Sequence, residues 1–160
     1  MLLESFFLEQ LEINVRVPNE VGTIQINTLR STYGYEVGRH QTEPTRWRME
    51  FRAEFLQLVD ENTPAGYHVK SKIVGFLKLE DQLDEQKAAH AVRVNGVGIL
   101  YGTLRGIVAN STGTFNLGVF YLPSIIPTDV VRNVEAKRIA EQAARQTSAT
   151  ASAAPITAQG

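Results

Sequence analysis

The chain contains no cysteine. Disulfides and thiolate metal sites are therefore excluded outright. Net charge is nearly absent too: 16 Lys and Arg stand against 17 Asp and Glu, a formal −1. Such a balance gives no reason to expect nucleic acid or a membrane surface as partner. Nor is there a basic patch interleaved with aromatics for single-stranded nucleic acid. No apolar run is long enough to span a bilayer. The opening Met1-Leu2-Leu3-Glu4-Ser5-Phe6-Phe7-Leu8-Glu9 is apolar but lacks a basic start, and Glu4 and Glu9 break it, so it does not read as a signal peptide. The expectation is a soluble, cytoplasmic protein without membrane insertion. In that setting Asn110-Ser111-Thr112 is a chance match to a glycosylation sequon.

Catalytic chemistry is missing as well. The three histidines, His40, His68 and His90, lie far apart at no metal-ligand spacing and read as solvated or hydrogen-bonded residues. No serine stands in a Gly-x-Ser-x-Gly elbow. Gly96-Val97-Gly98 followed by Gly102 and Gly106 has the wrong spacing for a phosphate loop, and no Lys-Ser/Thr pair follows. The glycines suit close packing of a helix instead. Asp81, Asp84 and Glu85 read as a solvated connector. The expectation is a protein that is not an enzyme and has no metal or cofactor.

What is present is periodicity. Leu11, Ile13, Val15 and Val17 alternate with polar residues and predict a strand with one buried face, closed by Pro18-Asn19. Residues 20–45 are ambiguous: Ile24 and Ile26, or Tyr33, Tyr35 and Val37, could form the second strand. Trp47, Met49, Phe51, Ala53 and Phe55 oppose Arg48, Glu50, Arg52 and Glu54 in the clearest strand, with Leu56 and Leu58 then falling on the polar side. After an Asp60–Gly66 turn, Tyr67 to Leu79 alternate as a fourth strand, hairpin-paired with the third. Val74 and Phe76 again interrupt its polar side. Glu80 to His90 is charged and reads as a connector with room for a short helix. Leu100, Leu104, Ile107 and Val108 recur at helical spacing from Val97 to Val108, and Gly113 offers a stop. Phe115 to Ile126 is apolar and aperiodic. Thr128 or Asp129 can cap a last helix to about Arg145. Residues 146–160, rich in Ala, Thr and Ser, read as a disordered tail. Strands first and helices after predict an α+β fold: one domain over residues 1–145, a four-stranded antiparallel sheet with helices packed on one face. Apolar residues on nominally polar faces point to an interface between copies or a binding groove.

Several segments resemble one family. They are Val17-Pro18-Asn19, Ala89-His90, Asn95-Gly96, Ile99-Leu100-Tyr101-Gly102 leading into Arg105, and Ser111-Thr112-Gly113-Thr114-Phe115 followed by Leu122-Pro123. Together with the element order they resemble the SecB family of protein-export chaperones over Leu8 to Arg145. The resemblance implies a homotetramer, a dimer of dimers, with the long helices at its centre. Leu100, Tyr101, Leu104, Ile107 and Val108 become the interface candidates. It also implies nucleotide-independent holding of unfolded polypeptide, preproteins or an antitoxin, in a groove. The client-contact candidates are Tyr33, Tyr35, Phe115, Val119, Phe120, Tyr121 and Leu122. The family docks on the SecA motor through acids on the first-strand face, and Glu12 keeps one. Arg16 stands where a glutamate is usual, so the resemblance fits an antitoxin-serving or phage-encoded relative at least as well. The alternative reading is a structural or assembly module that binds one folded partner.

Overall fold

In the computed structural model, which describes residues 1–16, 28–80 and 83–152, the alternating stretches become four strands. They are β1 (Leu2–Arg16), β2 (Thr28–Arg39), β3 (Arg46–Leu58) and β4 (Pro64–Lys78). They form one antiparallel sheet in the order β1-β4-β3-β2. Two helices follow, α1 (Glu85–Thr112) and α2 (Pro127–Ser152). The α+β architecture expected from the element order is the one observed.

One apolar row on each of β3 and β4 faces α1. Trp47, Met49, Phe51 and Phe55, with Tyr67, Val69, Ile73 and Leu77, meet Val92, Val97, Leu100, Tyr101, Leu104 and Val108 in a single core. Val130, Val131 and Val134 of α2 complete it. Two glycines let the layers approach. A Cβ on Gly75 would lie 2.6 Å from a Leu100 methyl, and one on Gly96 would lie 2.9 Å from a Leu77 methyl. Gly96 therefore sits mid-helix despite its poor propensity, because a Cβ there would press into the Met49 and Leu77 side chains.

Three expectations need correction, and one open alternative is resolved. Strand β1 starts at Leu2, not Leu11; register shifts between Leu3 and Ser5 and between Leu8 and Gln10 break the period of two that would have revealed it. The second strand is the Tyr33–Val37 alternative; Ile24 and Ile26 lie outside the described residues. The helix allowed within the connector Glu80–His90 is no separate short one: from Glu85 on it is the start of α1. Asp84 accepts a hydrogen bond from the Lys87 backbone N–H at 2.9 Å, a standard N-cap, so α1 begins twelve residues before Val97. Helix α2 begins at Pro127, a residue suited to the first turn, and continues through Ser152 rather than ending near Arg145. Gln146-Thr147-Ser148-Ala149-Thr150-Ala151-Ser152 contains neither Gly nor Pro to stop it.

The end of α1 also differs in mechanism. Gly113 keeps a right-handed conformation, with φ −59°. The Thr112 hydroxyl donates to the Val108 carbonyl and accepts the Phe120 N–H at 2.8 Å, turning the chain back over the core. The positive φ after α1 belongs to Gly118, at 76°.

The sheet face away from the helices is charged at its centre. Glu50 is nearly shut off from water and accepts from Arg52 at 2.7 Å, with Lys72 at 3.3 Å and Arg48 at 3.4 Å. Burial pushes its carboxyl up, but the bonds from Arg52 and Lys72 outweigh it and hold the group below the ordinary carboxylate range. Its stabilisation is therefore complete above the unfolded pKa of about 4.3 and is lost as pH falls through the lower folded value. Urea midpoints should stay level from neutral pH to about pH 5 and drop in stronger acid, with Glu50→Gln flattening part of that drop. Equal acid slopes in both proteins would show that Glu50 contributes nothing. Beside this network Leu58 and Val74 are buried, and Phe7 packs on Phe76 with ring centres 6.3 Å apart. These are the apolar interruptions noted on the polar strand faces.

Candidate functional site

The segment joining α1 to α2 carries no regular structure from 118 to 126, yet it is pinned at three points. Thr112 holds Phe120, the Tyr67 hydroxyl donates to the Gly118 carbonyl at 2.5 Å, and the Tyr101 hydroxyl donates to the Pro123 carbonyl at 2.5 Å. Along 119–122 burial alternates from one residue to the next. Phe120 and Leu122 go inward, at 6% and 1% exposed, while Val119 and Tyr121 go outward, at 42% and 71%. Phe120 stacks on Tyr67 at 5.2 Å, and Phe115 leans on the same ring at 6.1 Å. Phe115, Leu117, Val119, Tyr121 and Ile126 thus present apolar surface to water on a segment whose backbone cannot easily retract.

The two candidates on β2 sit elsewhere. Tyr33 is half-buried among Phe51, Phe55 and Tyr101, with ring centres 5.8–6.3 Å away. Tyr35 is buried and ties β2 to both helices. Its hydroxyl donates to the Glu135 carboxylate at 2.9 Å, which also accepts from Arg93 at 3.1 Å. The Arg138 guanidinium lies 4.9 Å over the Tyr35 ring and donates to the Tyr35 carbonyl. Burial first, then the Glu135 hydrogen bond and charge, push the Tyr35 phenol up to about 12. Burial, then neighbouring Tyr33, raise Tyr101 as well. Both phenols stay protonated at neutral pH and serve as donors, not as bases.

Among the described residues no group of three or more His, Cys, Asp or Glu is arranged to hold a metal. No helix among them is long and apolar enough to cross a membrane. The arrangement offers apolar contact and backbone hydrogen bonding, and little else.

No protein-family profile matches the chain, and no curated protein does. Solved structures do. A SecB-like chaperone from Mycobacterium tuberculosis, in complex with a ChAD peptide from the HigA1 antitoxin, superposes with a TM-score of 0.53. The match covers 78% of this chain and 89% of that one at 16% identity. The fold is SecB-like. A weaker match, TM-score 0.43 at 10% identity, is a Streptococcus agalactiae protein of unknown function, covering 77% of this chain and 96% of that one.

Within this SecB-like fold the expected sites fall into two sets. Phe115, Val119 and Tyr121 are exposed on the segment between the helices, as are Leu117 and Ile126. Phe120 and Leu122 are buried on the inner side of the same segment, while Tyr33 and Tyr35 sit apart on β2. The expected interface residues Leu100, Tyr101, Leu104 and Val108 are corrected: they face the chain's own sheet, at 0–3% exposed, and only Ile107 is partly open. Apolar spacing marks the buried side of a helix without saying which partner buries it. The outward side of α1 carries Gly102, Arg105, Gly106 and Asn110, a pattern without apolar residues to signal it. Glu12 lies on β1, exposed, accepting from Gln10 at 2.6 Å and opposite Lys70 across the strand pair.

Proposed function

We propose that the chain is a chaperone that holds non-native polypeptide without nucleotide, in the service of an antitoxin-like partner. The observation that carries this reading is the pinned segment with Phe115, Leu117, Val119 and Tyr121 turned outward. Exposed apolar groups on a fixed backbone accept many sequences, because apolar burial is non-directional. The antitoxin peptide held by the M. tuberculosis chaperone supports the choice of client. Export service is less well supported by the charges. Most acids of the open sheet face are already paired: Glu9 by Lys72, Glu50 by Arg48, Arg52 and Lys72, and Glu54 by His68 and Lys70, while Glu12 accepts from Gln10 and forms no ion pair among the described residues. A face neutralised in this way has little field left to steer a basic motor surface such as that of SecA. Assembly as a homotetramer would use the outward side of α1, where Gly102 and Gly106 have open space beside them.

The test is fluorescence anisotropy of a labelled, permanently unfolded polypeptide titrated with the protein, against the same polypeptide folded. Binding to the unfolded form alone, with a Kd in the micromolar range or below, is expected. Binding to neither form, or to the folded form equally, would overturn the reading and favour a module dedicated to one folded partner.

A further inference from the structure

On the sheet face away from the helices, strand register lines up one row of residues. Ser5 pairs with Phe76, Phe76 with Arg48, and Arg48 with Gly38, so each strand places one residue in it. Three strand spacings make the row about 14 Å long. It is low at both ends, because Ser5 is small and Gly38 has no side chain. Nothing lies within 4 Å of an added Cβ on Gly38. Together with Glu4, Arg46 and the β2–β3 turn around His40, this row lines a cleft of about 770 Å³. That volume suits a small molecule.

The hydrogen-bonding capacity left free in the cleft is mostly that of donors. Glu4, the one acid in its lining, is spent on Arg46 at 3.1 Å, and Arg46 also holds Glu43 at 2.7 Å. Arg39 is engaged by the Pro44 carbonyl at 3.0 Å and by the Trp47 ring. Arg48 is placed differently. Its one partner among the described residues is Glu50, at 3.4 Å through a single guanidinium nitrogen. Arg52 at 2.7 Å and Lys72 at 3.3 Å hold Glu50 more closely, so Arg48 can turn to a ligand without leaving that carboxylate unpaired. His40 adds a second donor. The Glu43 backbone N–H donates to its Nδ1 at 3.1 Å, which puts the ring proton on Nε2. Among the described residues nothing accepts that proton. Phe76 supplies an apolar side, with its ring 38% exposed and backed by Phe7.

We infer that this cleft binds a small aromatic carboxylate, its carboxylate forked by Arg48 and its ring laid against Phe76. Guanidinium and carboxylate pair through two parallel N–H···O bonds, and one available guanidinium answers one carboxylate. A polyphosphate would bring more negative charge than the cleft can match, since Arg46 already faces two acids. A ring beside the anion removes Phe76 from water. Gly38 makes the room, because a side chain opposite Arg48 would fill that end of the cleft. The exposed segment 118–126 packs on the other side of the sheet, against Tyr67. The ligand and an unfolded polypeptide held there would not compete.

Phenylacetate and phenylethanol test this in the full-length protein, since they share a ring and differ in the carboxylate. In proton–nitrogen NMR spectra phenylacetate should shift the Arg48 side-chain Nε–H and the backbone amides of Gly38, His40 and Gln41, with a Kd of about 1 mM or tighter. Phenylethanol should bind at least about tenfold more weakly. Phenylacetate should lose about as much affinity for Arg48→Gln and for Gly38→Leu. The second variant keeps every charge and only fills the open end, at unchanged thermal midpoint. Equal affinity for the alcohol, or shifts confined to the segment between the helices, would show apolar adsorption and overturn the inference. So would undiminished binding by Arg48→Gln or by Gly38→Leu, or no binding of phenylacetate at all.

Discussion

Leu104→Asp will not yield a folded protein. Leu104 is fully buried between α1 and the sheet, in the same core as Tyr101 and Val108. An aspartate there has no cation within the core to pair with, so it must either ionise in an apolar site or fold only when protonated. Substitutions of this kind cost about 5 kcal/mol or more, comparable with the whole stability of a domain this size, about 5–15 kcal/mol. The expected result is loss of the cooperative thermal transition and of near-ultraviolet circular dichroism. A Leu104→Asp protein that remained folded but dissociated into single chains would restore Leu104 to an interface between copies, and would contradict its place in the core.

The second large effect is on binding alone. Replacing Leu117, Val119 and Tyr121 together with serine removes three outward side chains and leaves the pins at Thr112, Gly118 and Pro123 in place. Each lost contact is worth about 1 kcal/mol of apolar burial, so affinity for an unfolded polypeptide should fall by about a hundredfold. The thermal midpoint should move little. Phe120→Ser is the contrasting variant: it empties the stack on Tyr67 and should cost about 3 kcal/mol of stability. Unchanged affinity in the triple variant, with the fold intact, would place the client elsewhere on the molecule.

Much of this fold was legible in the residues. The alternation from Trp47 to Phe55 and from Tyr67 to Leu79 gave the two central strands and their pairing, because both have one face in a single continuous core. The edges were harder for a physical reason. Strand β1 changes register twice, so its inward residues Leu3, Leu8, Leu11 and Ile13 follow no constant period. The first three turns of α1 were hidden because Glu85, Gln86, Lys87 and His90 are exposed, and only Ala88 and Val92 mark the buried side. The candidate surface was half legible. Sequence picked out the apolar run from Phe115 to Leu122, but an aperiodic run does not say which residues turn inward. The bonds from Thr112, Tyr67 and Tyr101 decide that, and they connect positions from 8 to 51 residues apart.

The strand order has a consequence for how the chain is made. Strand β1 lies at one edge, yet its partner is β4, and Leu2 pairs with Lys78. On the ribosome the first sixteen residues therefore emerge long before anything they can pair with, and β3 and β4 can close their hairpin while β1 still waits. Leu3, Leu8, Leu11 and Ile13, which pack against the core in the finished fold, have nothing to pack on during that interval. A nascent chain of this protein passes through the same unpaired, apolar state as the polypeptides it is proposed to hold.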